Sequence, residues 1–171
     1  MRNLVLVLLA SAALFAQGGA RRAPGFALVD LKTQVHDLGD YRGKVVLVDF
    51  MKTDCPHCKT FAGILEKAKA RYGTRVAVLS IVMPPDTTAT VERFVNDNNL
   101  TTPYLFDCGQ VAYSYIRPKT NSISLPHLYI VDREGMIVRD YEYSPDNKAI
   151  FEGGNLFTEL DRIAGPPAAR Y

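Results

Sequence analysis

Val45-Val46-Leu47-Val48-Asp49-Phe50 is apolar and β-branched almost throughout, and five residues beyond it stands Cys55-Pro56-His57-Cys58, opening a helix-like stretch from Lys59 to Arg71. A run of this kind reads as a strand buried on both faces, which demands neighbours at both edges and cover above and below. The thiols at the strand–helix joint then have a fixed chemical setting. Three positions apart, they can close a disulfide with each other and reopen it. A helix N-terminus stabilises negative charge and therefore the thiolate. Pro56 suits the first helical turn, where its missing N–H costs nothing. His57 adds a group that can be cationic beside that thiolate. The alternatives are half of a zinc site or a structural disulfide. A zinc site needs a second ligand pair at similar spacing. The only other cysteine is Cys108, and the other histidines, His36 and His127, are isolated. Redox chemistry is favoured over metal binding.

The rest of the chain alternates strands with helices. Phe26–Val29 and Gln34–His36 read as short strands around a polar turn. Cys58, Phe61, Leu65, Ala68 and Tyr72 recur at three- and four-residue steps, one apolar stripe that Gly73 ends. Val76–Met83 is a second buried strand, stopped by Pro84-Pro85. Thr87–Asn98 reads as an amphipathic helix, Tyr104–Phe106 as a strand and Gly109–Ile116 as a short helix. Leu128–Val131 and Met136–Tyr141 flank Asp132-Arg133-Glu134-Gly135, a hairpin signal. Asn155–Ile163 closes the order as a helix. The pattern predicts an α/β fold with a central mixed β-sheet flanked by helices on both faces.

The N-terminus reads as a leader. Met1-Arg2-Asn3 is basic, Leu4–Ala16 is apolar but too short for a comfortable membrane span, and small residues follow. Residues 1–20 are therefore assigned to a signal peptide, cleaved after Ala16 or Ala20, or to a short N-terminal anchor. Export implies a periplasmic or other extracytoplasmic, disulfide-permissive compartment. About 150 residues remain, enough for one core. They are assigned as a domain at 21–164 and a flexible tail at 165–171. The formal net charge is +2, with Lys and Arg scattered, so no nucleic-acid partner is expected.

Ordered along the chain, these motifs resemble the thioredoxin superfamily, and within it the exported TlpA/ResA-like thiol–disulfide oxidoreductases and the related redoxin/AhpC-TSA group. Ala23-Pro24-Gly25-Phe26 looks like the group's opening, and Tyr41-Arg42-Gly43-Lys44 with the apolar run looks like its Gly-Lys strand. The Cys55–Lys59 segment sits where the redox motif sits, and Leu125-Pro126-His127-Leu128-Tyr129-Ile130-Val131-Asp132-Arg133-Glu134-Gly135 matches its hairpin. The resemblance covers about Ala23 to Ile163 and implies a thioredoxin-like fold.

It also implies roles. Cys55 is the nucleophile and Cys58 the resolving thiol. Pro126 matches the family's cis-proline, which lies against the disulfide and, with Leu125, binds substrate backbone. Asp49 matches the acid buried beneath the motif, which exchanges the proton of Cys58. Pro56 and His57 tune the redox potential. The partners implied are protein thiols or disulfides and a membrane-bound electron donor or acceptor. No metal or organic cofactor is implied beyond the Cys55–Cys58 disulfide.

Several residues depart from the family pattern. Asp54 stands where an aromatic residue is usual, and it is a candidate helix cap. Pro56-His57 is the dipeptide of strongly oxidising DsbA-type enzymes, whereas the Asp49 position is typical of reducing thioredoxins. These poises differ by about 150 mV, roughly 7 kcal/mol for two electrons. DsbA-type enzymes carry an inserted helical domain for which Met83–Leu125 is too short. A peroxiredoxin-like peroxide reductase is one competing function, but its T-x-x-C pattern is not met, because Thr53 lies only two positions before Cys55. A copper-binding chaperone of the same fold is another, but its cysteines are usually spaced by three residues, with a downstream histidine. Cys108, in the turn Phe106-Asp107-Cys108-Gly109, reads as a half-buried bystander. His127 can face the disulfide or turn away from it.

Overall fold

Val45–Met51 is buried at every residue because both of its edges are paired and both of its faces are covered. The structure, a computed structural model, describes residues 21–118 and 122–166. Residues 1–20, assigned from the sequence to a leader, and residues 167–171, assigned to the tail, lie outside the described residues. In chain order the elements are β1 (Arg21–Arg22), β2 (Ala27–Val29), β3 (Val35–Asp37), β4 (Val45–Met51), α1 (Pro56–Tyr72), β5 (Val76–Val82), α2 (Thr88–Asp97), β6 (Tyr104–Phe106), α3 (Gln110–Ile116), β7 (His127–Val131), β8 (Met136–Glu142), α4 (Lys148–Phe151) and α5 (Leu156–Ala164). Six strands form one sheet in the order β1-β8-β7-β4-β5-β6. The pairs β4–β5 and β5–β6 are parallel, and β4–β7, β7–β8 and β1–β8 are antiparallel. The sheet is thus mixed, with β2 and β3 paired apart from it as a hairpin.

Alternation along β4 sorts its side chains between two layers. Val45 and Leu47 pack with Phe61 and Leu65 of α1 and with Phe151 and Leu160 of α4 and α5. Val46, Val48 and Phe50 face Tyr115 of α3 and Phe26 and Leu38 of the N-terminal segment. Met51 returns to the α1 side with Cys58, Ala62 and Tyr104. Asp49 lies between Leu47 and Met51 and so shares the α1 face by the two-residue period of a strand.

The apolar stripe of α1 explains why the helix begins at the cysteines. Cys58, Phe61, Leu65, Ala68 and Tyr72 are all buried against the sheet, and each large apolar side chain so placed stabilises the fold by about 1.5–3 kcal/mol. Gly73, with φ 56°, ends the helix, its N–H donating to Lys69 O. The chain then re-enters the sheet parallel to β4. At the β7–β8 turn, Asp132 Oδ1 accepts from Glu134 N–H at 3.0 Å and Met136 N–H at 2.8 Å. Gly135 fits there because its φ of 80° is a backbone conformation that residues with a Cβ rarely adopt. After α5, Arg75 Nη1 donates to the carbonyls of Ala164, Gly165 and Pro166.

Candidate active site

Cys55 is the N-cap of α1. Its backbone is extended, φ −92° and ψ 113°, Pro56 occupies the first helical turn, and Cys55 Sγ accepts from Cys58 N–H at 3.1 Å. Asp54, the cap suggested by sequence, is exposed and leaves that task to the sulfur. Cys55 and Cys58 are joined as a disulfide with Cα atoms 5.2 Å apart. Cys58 is buried at 1% exposure, while Cys55 is only half-buried. On reduction, the same N–H and the helix N-terminus favour negative charge on Cys55. An accessible sulfur that carries charge and a buried one three residues on are fitted for attack and resolution respectively.

Two loops hold this joint in place. Thr53 N–H donates to Asp86 Oδ2 at 2.8 Å and its hydroxyl donates to Asp86 Oδ1, which also accepts from Thr90 Oγ1 at 2.8 Å. Asp86 follows the cis Pro84-Pro85 bond, so the two prolines do more than stop β5: they lead into the carboxylate that fastens the loop before Cys55. The Thr53 hydroxyl is directed to Asp86, which adds a geometric departure from the peroxide-reducing arrangement. From the other side comes the start of β7. The Leu125-Pro126 bond is cis, and Leu125 O lies 3.9 Å from Cys55 Sγ. An extended substrate crossing Cys55 would meet backbone groups there. Pro126 O in turn accepts from Tyr143 N–H at 3.2 Å. His57 is exposed, with Tyr143 stacked on it at 4.2 Å between ring centroids.

Asp49 lies in the layer between the sheet and α1, with 2% exposure. It pairs in register with Ser80, which pairs with Tyr104, and Tyr104 packs in one cluster with Cys58. Ser80 Oγ donates to Asp49 Oδ2 at 3.5 Å, and Oδ1 has no partner among the described residues. Burial pushes the Asp49 carboxyl up to about 8, with the Ser80 hydroxyl opposing the shift. It can therefore hold a proton near neutral pH and release it at modest cost.

The other candidates lie elsewhere. His127 is paired in register with Phe50 and stacks on Tyr129 at 4.8 Å, which puts it on the α3 face, away from the disulfide. Its Nε2 lies 2.7 Å from Asp140 Oδ1 at the edge of a cavity of about 530 Å³. His36 is engaged by Tyr41 and Asp30. Among the described residues no group of three His, Cys, Asp or Glu side chains is arranged to hold a metal ion. Cys108 is free and exposed rather than half-buried. Sequence reasoning missed Asp86, Ser80 and Tyr143. Only Asp86 carried a signal, standing directly before the Thr87–Thr90 helix cap.

A CXXC disulfide capping the helix after a central strand, opposed by a cis-proline, defines the class of thioredoxin-like thiol–disulfide oxidoreductases. The chain belongs to the AhpC/TSA family, whose model matches residues 20–140. It is 30% identical over 119 residues to the thioredoxin-like protein YneN of Bacillus subtilis, an alignment covering 68% of this chain and 67% of that protein. It is 31% identical over 116 residues to the thiol-disulfide oxidoreductase ResA of Geobacillus kaustophilus, covering 67% of this chain and 64% of ResA. The chain thus matches about two thirds of the length of these curated relatives. Among solved structures it resembles a thiol:disulfide interchange protein, DsbE, from Chlorobium tepidum, with a TM-score of 0.66 and 26% identity over 80% of this chain and 94% of that one.

Proposed function

We propose that this protein exchanges disulfides with protein substrates through Cys55 and Cys58. The observation that carries the reading is the pairing of a half-exposed, helix-capping Cys55 with a buried Cys58, beside the Leu125 carbonyl and cis-Pro126. In the reducing direction the Cys55 thiolate attacks a substrate disulfide. A Cys55–substrate bond forms, the substrate S–S bond breaks, and one substrate thiolate leaves. Cys58 gives its proton to Asp49 and attacks the Cys55 sulfur, closing the Cys55–Cys58 disulfide and expelling the second substrate thiolate. The oxidising direction is the reverse. Pro126 and Leu125 would align the substrate backbone, and Pro56 and His57 would set the potential. Two sulfurs complete a two-electron exchange, so the reading needs no metal or organic cofactor.

The leader-like residues 1–20 support an exported protein, held in solution or anchored at its N-terminus. No helix of the described residues is long and apolar enough to cross a membrane. In such a compartment the disulfide would be recycled by a membrane-bound electron donor or acceptor.

Reduction of insulin in dithiothreitol tests the activity. Wild type should accelerate it, Cys55→Ser should not, and Cys58→Ser should accumulate a mixed disulfide visible by mass. A Cys55→Ser variant as active as wild type would overturn the reading. Peroxide consumption faster than disulfide exchange would replace it with a peroxidase.

A further inference from the structure

Tyr143 lies just past β8, 86 residues from His57, and makes four contacts, two of them with His57 of the redox motif. Its N–H donates to Pro126 O at 3.2 Å, which fastens it to the strand that carries the cis-proline. Its ring rests on Phe151 of α4, with centroids 5.6 Å apart and planes tilted by 58°. The same ring covers His57, with centroids 4.2 Å apart and planes within 21°. Its hydroxyl lies 3.0 Å from His57 Nδ1. Asn147 steadies the turn beyond it, donating through Nδ2 to Glu142 O at 3.1 Å and through its N–H to Ser144 O at 3.1 Å. His57 itself sits on the exposed first turn of α1, where a free imidazole would sample several rotamers.

We propose that Tyr143 is a positioning residue for the thiol–disulfide exchange: it holds the His57 ring beside Cys55 and, through its aromatic face, favours the reduced form of the motif. The proposal rests on the exchange reading above. The hydroxyl can donate to a neutral Nδ1 or accept from a protonated one, so it serves both forms of the imidazole. The ring face does not serve both equally. In the disulfide state neither sulfur is charged, so the sulfurs draw no cation to the stack. When the disulfide opens, the Cys55 thiolate draws a cation, and an imidazolium over a tyrosine face gains an electrostatic attraction that the neutral ring lacks. Only this difference between the states moves the equilibrium. Phe151 and the Pro126 carbonyl hold Tyr143 in place beforehand, so little ordering remains to be done on reduction.

The equilibrium with glutathione reads the effect directly. Two glutathione thiols reduce the protein disulfide; the Cys55–Cys58 bond breaks, the bond of oxidised glutathione forms, and two electrons pass. Tyr143→Leu keeps apolar packing on Phe151 but removes the aromatic face, and Tyr143→Phe keeps the face and removes the hydroxyl. Tyr143→Leu should raise the constant for disulfide formation by about two- to fivefold, the size of an exposed cation–π contact. Tyr143→Phe should stay closer to wild type. In a His57→Ala background, Tyr143→Leu should have no effect, because the group it acts through is gone. An unchanged constant for Tyr143→Leu in the wild-type background overturns the proposal. So does the same shift with and without His57, which would mean that the residue acts through Pro126 or through folding. Failure of the wild-type disulfide to equilibrate with glutathione at all would instead remove the exchange reading on which the proposal stands.

Discussion

Replacing Asp49 by asparagine should change how the stability of this protein depends on pH, not merely its level. Asp49 is 2% exposed, with one hydrogen bond from Ser80, and burial pushes its carboxyl up to about 8. In an unfolded chain the same group titrates near ~3.9. Below about pH 4 both states hold the proton and the residue is neutral in both. Between about pH 4 and pH 8 the unfolded chain has released the proton and the folded chain keeps it, so rising pH favours unfolding. Above about pH 8 both states are ionised and the penalty stays constant. Within the window the slope is about 1.4 kcal/mol per pH unit, and by pH 7 the accumulated cost is about 4 kcal/mol.

Asparagine has nearly the same shape and no titration. It adds an offset, since its amide must fit beside Ser80, but that offset does not vary with pH. Urea unfolding of oxidised wild type and Asp49→Asn at pH 5, 6 and 7 isolates the slope. In the oxidised state neither Cys55 nor Cys58 titrates, and every other titrating group is common to the two proteins. Wild type should lose about 1.4 kcal/mol relative to the variant with each unit. Parallel curves would show that the carboxyl ionises normally in the fold and would sink the argument from burial.

In the reduced protein at about pH 8, where a large share of the Asp49 carboxyls is ionised and free to accept the Cys58 proton, Asp49→Asn should slow release of substrate from the Cys55 mixed disulfide by about 10²-fold, the size of a lost general base; unchanged stopped-flow rates would show that Asp49 does not handle that proton. Asp86→Ala frees Thr53 from two hydrogen bonds to a carboxylate and should cost about 2 kcal/mol in denaturant unfolding, whereas a neutral result would show that the Thr53 loop holds its place unaided. His127→Ala should destabilise the fold by about 1–3 kcal/mol through the buried space it empties, yet leave the rate of insulin reduction unchanged, because the side chain lies across the sheet from the disulfide. Cys108 should take one equivalent of alkylating reagent in the native oxidised protein, read by mass, and Cys108→Ser should take none; a native protein that resists the reagent would contradict its exposure.

The order of strands and helices is legible because each long element has a period to display. The α1 stripe repeats at helical spacing over about four turns, from Cys58 to Tyr72, and β4 and β5 are apolar runs of strand length. Two elements have no period to show: β1 is two residues long and α4 four, and each forms because a neighbour, β8 or α1, is already in place. The cysteine pair can be read from spacing alone, but its cap cannot. Asp54 and Cys55 are both able to accept from the first turn, and only the extended backbone at Cys55 decides between them. The side of the sheet that His127 takes depends on its register with Phe50, a pairing across 77 positions that no local pattern encodes. Tyr143 and Asp86 matter for the same reason, since their partners are brought to them by the sheet.

On the exchange and positioning roles proposed above, the site separates two controls that act on different sulfurs. Asp49 lies on the face of the sheet covered by α1, the helix that carries Cys58, and in the proposed exchange its influence is a matter of where a proton waits. His57, two residues past Cys55, is exposed and stacked on Tyr143, and the influence proposed for this pair is a matter of which state carries charge. With Asp49 acting on the resolving step and the His57–Tyr143 pair on the equilibrium, as proposed, changing either should leave the other's readout in place. Asp49→Asn should slow resolution with little effect through His57 on the glutathione constant, and Tyr143→Leu should move that constant while preserving the pH slope of stability. Distant and independent contributions add. A double variant whose rate and constant both equal the products of the single effects would place the two controls in separate layers; strong non-additivity would mean that the proton on Asp49 and the charge beside Cys55 are one coupled system through the disulfide itself.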